Sequence, residues 1–437
     1  MERKEREYYL FVQRYRYEKL SKKQKGEILD EIQEKLGVCR RQALRLVKKR
    51  EQGRPKKKRV GRRSKYQSIE FKKALKEIWV LHDYACSGIL KADMETWVNA
   101  REEVRDKYDN EIKELLLSIS RPTIDRVLHD YKKNKGKSTT HSGGFKEEIP
   151  VQKNIWDVNI PGYVEADTVA HCGGSLAGEF IYSYTTVDIA TLWTEVRGIY
   201  GKGSLVAVKA FEDIEDSLPF DLLGYDSDNG TEMMNQYMYK YLTTEREERG
   251  RSEVTVTRAR AYHSNDNAHV EQRNNSVARK YLGYERYGFK ELQPLINYTY
   301  KYVLCPLLNH FCSVYKLKDK ILAKHRKNRI YGTPEKPYEK IINSDYVSQE
   351  RKDILKELHD ALNPVLLHNK KQKLFEQIDL ANKELQKGNC STRLLTLPPI
   401  PNEFLIYERK LKAIYEQNRG KIKLYKSCRK SYQQANR

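Results

Sequence analysis

The sequence predicts all-α helix-turn-helix domains, then an α/β core on a mixed five-stranded sheet with helices, then a mainly helical carboxy-terminal region. Three observations predict this order. Apolar residues recur at helical spacing over residues 25–50 and 71–117. Near Pro161 the spacing changes to the two-residue alternation of strands. Three strand-like runs are then followed by alternating helical and strand-like stretches.

At 437 residues the chain is long enough for about two to four domains. The boundaries expected are a helix-turn-helix domain over 1–52, a basic linker over 53–68 and a second helical, helix-turn-helix domain over 69–135. A linker over 136–158, the α/β core over 159–290 and the carboxy-terminal region over 291–437 complete the chain. The net charge of +23 points to a polyanionic partner. Ribosomal and membrane-surface proteins share that balance, so the total fixes no function. Its distribution says more: residues 1–66 hold 24 Lys/Arg against 9 Asp/Glu, whereas residues 161–285 hold 12 against 20. A basic arm therefore precedes an acidic centre. The seven cysteines form no CxxC pair and have no zinc-like spacing to histidine, which predicts free thiols in a reducing cytoplasm. The charged start, MERKEREYYLF, predicts no signal peptide, and no apolar run approaches the roughly 18–20 residues needed to span a membrane.

In the arm, Ile28, Leu29, Ile32 and Leu36 give one apolar stripe, Gly37-Val38-Cys39 breaks it, and Ala43, Leu44 and Val47 give the next. The second helix also carries Arg40, Arg41, Arg45, Lys48 and Lys49. A helix of this kind can lie in a major groove with its basic side chains on phosphates and base edges. The bland account is a helical hairpin with a solvated basic face. The run from Gly53 through Arg54 to Arg63 is too charged to bury a core and reads as a tether that tracks phosphates. Trp97 reads as core rather than a base-stacking platform. Ser120 suits a helix N-cap, with Pro122 early in the helix. That helix is expected to turn Arg121, Thr123, Arg126 and His129 outward and Ile124, Val127 and Leu128 inward, as a second helix-turn-helix.

In the core, Tyr163–Cys172, Glu179–Asp188 and Leu192–Ile199 read as an antiparallel meander. A helix over Leu205–Ser217 follows, then a strand over Phe220–Tyr225, a helix near Met233–Glu248, a strand at Val254–Thr257 and a further helix bearing Glu271. Three stretches in this core set carboxylates where ordinary surface does not need them. VEADTV puts Asp167 inside a strand, where acidic residues are unfavourable. FDLLGYDSDNG ends a buried strand and sets Asp228 just past it. YHSNDNAHVEQ starts a helix, with Ser264, Asn265 and Asp266 as N-cap candidates and Glu271 in the second turn. Two strand-borne aspartates and a helix-borne glutamate can converge at one sheet edge as a divalent-metal site. Asp226 sits before the turn, and Asp266 is better explained as a cap. Glu165 shares the face of Asp167 and is left outside the ligand set.

The order Asp167, then Asp228-Asn-Gly-Thr-Glu, then His263-Ser-Asn-Asp-Asn-Ala-His-Val-Glu271-Gln resembles the catalytic core of integrase-type DDE transposases and retroviral integrases, nearest to those of bacterial insertion sequences. The gaps of 60 and 42 residues between the carboxylates suit that arrangement. The second gap exceeds the ~35 usual in that family, so an extended loop or helix is expected around Glu245–Ser252. Leu308–Lys316, Tyr331–Ile341 and Leu362–Leu366 are similar to segments downstream of such cores. The resemblance covers roughly residues 160–370. It implies a ribonuclease-H-like fold and a polynucleotidyl transferase whose catalytic and metal-holding residues are Asp167, Asp228 and Glu271. Two magnesium ions roughly 3.5–4 Å apart, for which manganese can substitute, suit an all-oxygen ligand set. Asp167 is then the bridging ligand, with Asp228 on one ion and Glu271 on the other. The implied partners are double-stranded DNA, as element ends and target, and further copies of the chain as a homodimer or larger oligomer. No membrane partner is implied, and the place of work is a bacterial cytoplasm at the nucleoid. Expected DNA contacts are Arg40, Arg41, Arg45, Lys48, Arg54, Arg121, Thr123, Arg126, His263 and Arg273, with Lys280 weighed beside them. A ribonuclease-H-type nuclease that cuts without joining, or a DNA-binding regulator with an inert core, are the alternatives.

Overall fold

The computed structural model describes residues 3–48, 65–131, 159–227, 235–246, 251, 253–258, 270, 273–323, 326–389 and 392–418. The chain divides into two compact units, Met1–Lys65 and Tyr66–Arg437.

The smaller unit is helical: α1 (Arg3–Lys19), α2 (Lys22–Leu36) and α3 (Arg40–Val47). Ser21 opens α2, with Gln24 reaching back to its backbone N–H at 3.1 Å. Gly37 closes it in the left-handed region, at φ 63°, and returns its N–H to the Gln33 carbonyl. Ile28, Leu29, Ile32, Ala43 and Val47 form the core, as the two stripes require. The sequence did not mark α1 as a helix, because its apolar residues do not fall on a single face.

The larger unit begins with α4 (Ile69–Leu81), α5 (Ser87–Val104), α6 (Asn110–Ser118) and α7 (Arg121–Leu128). The segment expected as a separate second helical domain instead shares the hydrophobic core of the sheet over its described residues. Buried polar bonds explain the fusion. Asp93, wholly buried, accepts from His82 Nε2 at 2.7 Å, from the Ser313 N–H at 2.9 Å and from the Ser313 hydroxyl at 2.5 Å. Trp97, a core residue as expected, donates to the Phe311 carbonyl at 3.2 Å. Lys371 and the Tyr281 hydroxyl both donate to Asp83.

The sheet has five strands in the order β3-β2-β1-β4-β5. They are β1 (Tyr163–Ala170), β2 (Ile181–Asp188), β3 (Thr194–Tyr200), β4 (Gly224–Ser227) and β5 (Thr255–Arg258). The first three form the antiparallel meander, and β4 and β5 run parallel to β1. This mixed sheet is the architecture the sequence predicts. One boundary moves: Phe220 and Leu222 are buried as expected, but the chain joins the ladder only at Gly224. Leu223 and Gly224 first donate to the Gly162 carbonyl, which delays pairing.

One face of the sheet is covered by α8 (Ser204–Ser217) and α9 (Gln236–Leu242), through Phe211 against Tyr184, Tyr225 and Tyr241. After α9 the chain turns through Arg246, which pairs with buried Glu215 of α8, as Arg251 does. Most of the extension expected around Glu245–Ser252 lies outside the described residues. A helical stretch, α10, follows the sheet and contains a π-wound segment, Asn275–Arg279, and Lys280–Leu282. Next comes α11, made of Gln293–Thr299, a π-wound Tyr300–Leu304 and Cys305–Phe311. The carboxy-terminal region is mainly helical, with Gln349–Ala361, Pro364–Gln386 and Asn402–Asn418. An antiparallel hairpin the sequence did not reveal, Leu317–Ala323 with Arg326–Tyr331, precedes these helices.

An outer strand leaves backbone groups unpaired, and α11 meets those of β3 with side-chain amides. Asn309 accepts from the Thr194 N–H at 2.9 Å and donates to its carbonyl at 2.8 Å. Asn297 does the same for Gly198, at 2.6 and 3.0 Å. Asn309→Ala would leave both Thr194 groups buried and unmet. The expected cost is about 3 kcal/mol, read as a lower urea midpoint with an unchanged m-value. A loss under about 0.5 kcal/mol would show that water replaces the amide.

Candidate active site

β1 alternates between two faces. Val164 and Ala166 turn to the α8 side, while Glu165 and Asp167 share the other. In register, Asp167 lies level with Thr185 of β2, and Glu165 with Val187 of β2 and Asp226 of β4. This face therefore carries a row of acids. Asp226 accepts from the Thr257 hydroxyl at 3.0 Å. Ser227, level with Ala166, is the last described residue of β4. Asp228, which follows it, and Glu271 both lie outside the described residues, as do His263 and Arg54.

Residues flanking Glu271 are bonded to β1 at two points. The Val270 N–H donates to Glu165 Oε2 at 3.0 Å, and Glu165 is 1% exposed. Asn274 Nδ2 donates to Asp167 Oδ2 at 2.7 Å. The other oxygen, Asp167 Oδ1, accepts from the Thr168 N–H at 2.7 Å. Each carboxylate oxygen thus accepts from a described donor, which fixes the plane of the group. Asn274 Oδ1 and Thr185 Oγ1 are buried and meet no partner among the described residues. A buried acceptor with nothing to accept from, beside a carboxylate, suits a hydrated hard cation. Among the described residues, no three His, Cys, Asp or Glu side chains gather as a metal site.

On the far face, Tyr184 and Tyr225 share a hydrogen bond at 2.8 Å. Burial first, then the Tyr225 hydroxyl and more distantly Asp167, hold the Tyr184 phenol far above its ordinary range. At the end of β1, buried His171 contacts Ser183, which contacts the Tyr300 hydroxyl, each at 2.8 Å. Burial, helped by Arg279, pushes the imidazole down to about 3, so it is neutral at physiological pH.

The expected DNA contacts fall into three groups. Arg40, Arg41, Arg45 and Lys48 are exposed along α3, with Arg40 paired to Asp30. In α7, Arg121 and Arg126 are exposed. Thr123 is instead buried, because its hydroxyl contacts Ser120 and accepts from Arg126 at 3.0 Å. Arg273 donates to the Leu192 carbonyl at 3.2 Å, and burial lowers its guanidinium to about 10. Lys280 donates to the Asp83 carbonyl at 3.3 Å. Sequence reasoning missed Asn274 and the anchoring role of Glu165. The available signals were spacings: Asn274 follows Glu271 by one helical turn, and Glu165 precedes Asp167 by one strand repeat.

The fold and site define an α/β protein whose mixed sheet carries an acid-lined face gripped to the following helix. No protein-family model matches the chain. It is 30% identical over 328 residues to the uncharacterized protein y4rM of Sinorhizobium fredii (strain NBRC 101917 / NGR234), a match spanning 74% of this chain and 91% of the relative. The chain belongs to the family of that protein. Among solved structures it is similar to the catalytic core domain of BIV integrase, at a TM-score of 0.20 and 15% identity, over 27% of this chain and 71% of that one. No described helix is long and apolar enough to cross a membrane.

Asn274→Asp sets a second carboxyl against Asp167, and two such groups cannot both ionise at that distance. One of them then has a folded-state pKa above its unfolded value of about 3.9. Stability present below that value is lost as the pH rises through the raised one. Thermal midpoints relative to the unsubstituted chain should therefore fall between pH 4 and 8, while those of Asn274→Ala stay level. A flat profile for Asn274→Asp would mean that the two side chains do not meet.

Proposed function

We propose that the chain is a DNA transposase or integrase, a polynucleotidyl transferase that frees the 3′ ends of a mobile element and joins them to target DNA by in-line phosphoryl transfer. The observation that carries this reading is the double bond of Val270 and Asn274 to β1. It brings the residues on either side of Glu271 to the strand of Asp167, beside the strand that leads into Asp228. The described residues adjoining the three acids thus neighbour one another, which supports the reading.

The residues present fit magnesium, or manganese in its place, because the donors are oxygens and unmet buried acceptors adjoin them. Asp167, Asp228 and Glu271 would hold the ions, with Asp167 as the ligand common to both. Such ions, when bound, make an attacking oxygen more nucleophilic and neutralise the leaving oxygen. The chain's own part is to orient. Asn274 and the Thr168 N–H hold the Asp167 carboxylate, and Glu165 holds the backbone at Val270. In this reading the exposed bases of α3 and α7 grip double-stranded DNA at the element ends. At least two copies would then be needed to hold both ends, at work on the nucleoid in the cytoplasm.

Purified protein with DNA flanking its own reading frame tests the reading, in magnesium, manganese or calcium, with products mapped at nucleotide resolution. Nicks at fixed 3′ ends and joined products are expected in the first two metals. Asp228→Asn should lower both by about 100-fold or more, a barrier increase of about 2.7 kcal/mol, with DNA binding retained. Cleavage without joining would identify a nuclease of similar site chemistry. Tight binding without cleavage in any metal would leave a DNA-binding regulator.

A further inference from the structure

The hairpin that follows α11 is sorted by charge. Its strands are β6 (Leu317–Ala323) and β7 (Arg326–Tyr331), paired antiparallel as a two-stranded sheet. They hold five cations, Lys318, Lys320, Arg326, Lys327 and Arg329, against one acid, Asp319. Residues opposed across such a ladder share a face, and so do alternate residues along each strand. Lys320 is level with Arg329 and Leu322 with Lys327, so three of the five cations fall on one face. The other face takes Asp319 with Ile330, Ile321 with Asn328, and Ala323 with Arg326 beside the turn. Lys318 falls at the shift in register between Leu317 and Asp319.

Such sorting works against the hairpin itself. Like charges directly opposed destabilise a ladder, and a two-stranded sheet alone is marginal in water. Lysines on outer strands keep other strands away, but that purpose does not call for a single face. A polyanion laid on the face turns the repulsion into attraction. The root of the hairpin shows where such a partner runs. Gly332 donates to the Lys316 carbonyl at 3.0 Å, and Val314 and Glu335 exchange backbone bonds at 2.9 and 3.2 Å. Tyr315 packs on Tyr331 with ring centroids 5.9 Å apart. The Tyr315 hydroxyl and the Arg121 guanidinium both meet the point where a Cβ on Gly88 would stand. The hairpin thus springs from beside the exposed Arg121 of α7, a helix on which Arg126 is exposed as well.

We propose that the hairpin face bearing Lys320, Lys327 and Arg329 lies in the major groove of duplex DNA, as a contact continuous with the Arg121 end of α7. It rests on the transposase reading only for the choice of polyanion. Two strands about 4.8 Å apart fit a groove about 12 Å wide. The major groove of duplex RNA is too narrow for side chains to enter. Each cation set on a phosphate releases condensed counterions, so the contact is read in the salt dependence of affinity.

Binding of the full chain to a labelled DNA duplex, followed by fluorescence anisotropy in calcium from about 50 to 200 mM salt, provides the test. Lys320→Gln, Lys327→Gln and Arg329→Gln together should flatten the slope of log affinity against log salt by about 2.7, at about 0.9 for each cation, and weaken binding about 10-fold or more. The charge-keeping set Lys320→Arg, Lys327→Arg and Arg329→Lys should retain the slope. Arg326→Gln, on the other face, should shift it by less than about 0.5. On duplex RNA of the same sequence the glutamine set should leave the slope unchanged. The thermal midpoint of that set should hold, because it relieves the Lys320–Arg329 repulsion. Slope loss without cleavage in magnesium would support this contact while the catalytic reading fell. No binding by the unsubstituted chain would overturn both, and binding with an unchanged slope would overturn this contact alone. A lowered midpoint, or equal flattening by Arg326→Gln or on RNA, would also overturn it, in favour of a structural role or of general charge attraction.

Discussion

The site depends on a match between two repeats. Glu165 and Asp167, two residues apart on a strand, are separated by about 6.7 Å along it. Val270 and Asn274 are both helical residues, and a four-residue step in an α-helix advances about 6 Å along its axis. A strand can therefore grip a helix beside it at two successive points, which the Glu165–Val270 and Asp167–Asn274 bonds do. The two points differ in kind. Glu165 is sealed from solvent and holds backbone, so it fixes where the segment lies. Asp167 is only half-buried and accepts from a side chain, so its carboxylate is oriented. Anchor and oriented carboxylate sit on one strand face, and the alternation of β1 gives both.

What could be read in the sequence was whatever has a local period. The meander, α8, and the apolar stripes of α2 and α3 follow from alternation or 3.6-residue spacing, and the structure has them. Asp167 stood out because an acid inside a strand needs a reason. α1 escaped because its apolar residues serve two faces, and two stripes together look like no stripe. The Leu317–Ala323 and Arg326–Tyr331 hairpin escaped because its strands are thick with charge, which hides a two-residue alternation. Asn274, Asn297 and Asn309 escaped for a third reason: each matters through a partner about a hundred residues away. Thr123 was expected to face outward from helical phase alone. Its short side chain instead folds into the bonds of Ser120 and Arg126, which a helical wheel does not record.

The same long-range amides explain why the larger unit is one body. An outer strand such as β3 invites another strand, and α11 closes it without one, by lending side-chain amides at Thr194 and Gly198. At its end, Phe311 of α11 accepts from Trp97, and Ser313 just beyond donates to Asp93, both of the preceding helices. The helices before the sheet and those after it are therefore joined through α11 and its exit. A segment that reads from its own pattern as an independent reader of DNA is built into the wall of the core. Its exposed bases, Arg121 and Arg126, are then carried on the same compact unit as Asp167.

For the proposed chemistry, asparagine at position 274 suits the Asp167 carboxylate better than the charged alternatives. A lysine there would orient Asp167 equally well, but its full positive charge would neutralise the acid and repel the cation that the proposed chemistry needs. A second acid would repel Asp167 or force a proton onto the pair. The amide donates through its nitrogen at 2.7 Å and leaves the net charge of the site untouched. Its oxygen stays buried beside the carboxylate with no described donor. An unmet acceptor costs about 1–3 kcal/mol in a folded protein, and a hydrated cation would remove that cost by supplying water hydrogens or the metal itself. Under the proposed chemistry, the residue that fixes Asp167 would thus also reward a cation for binding there.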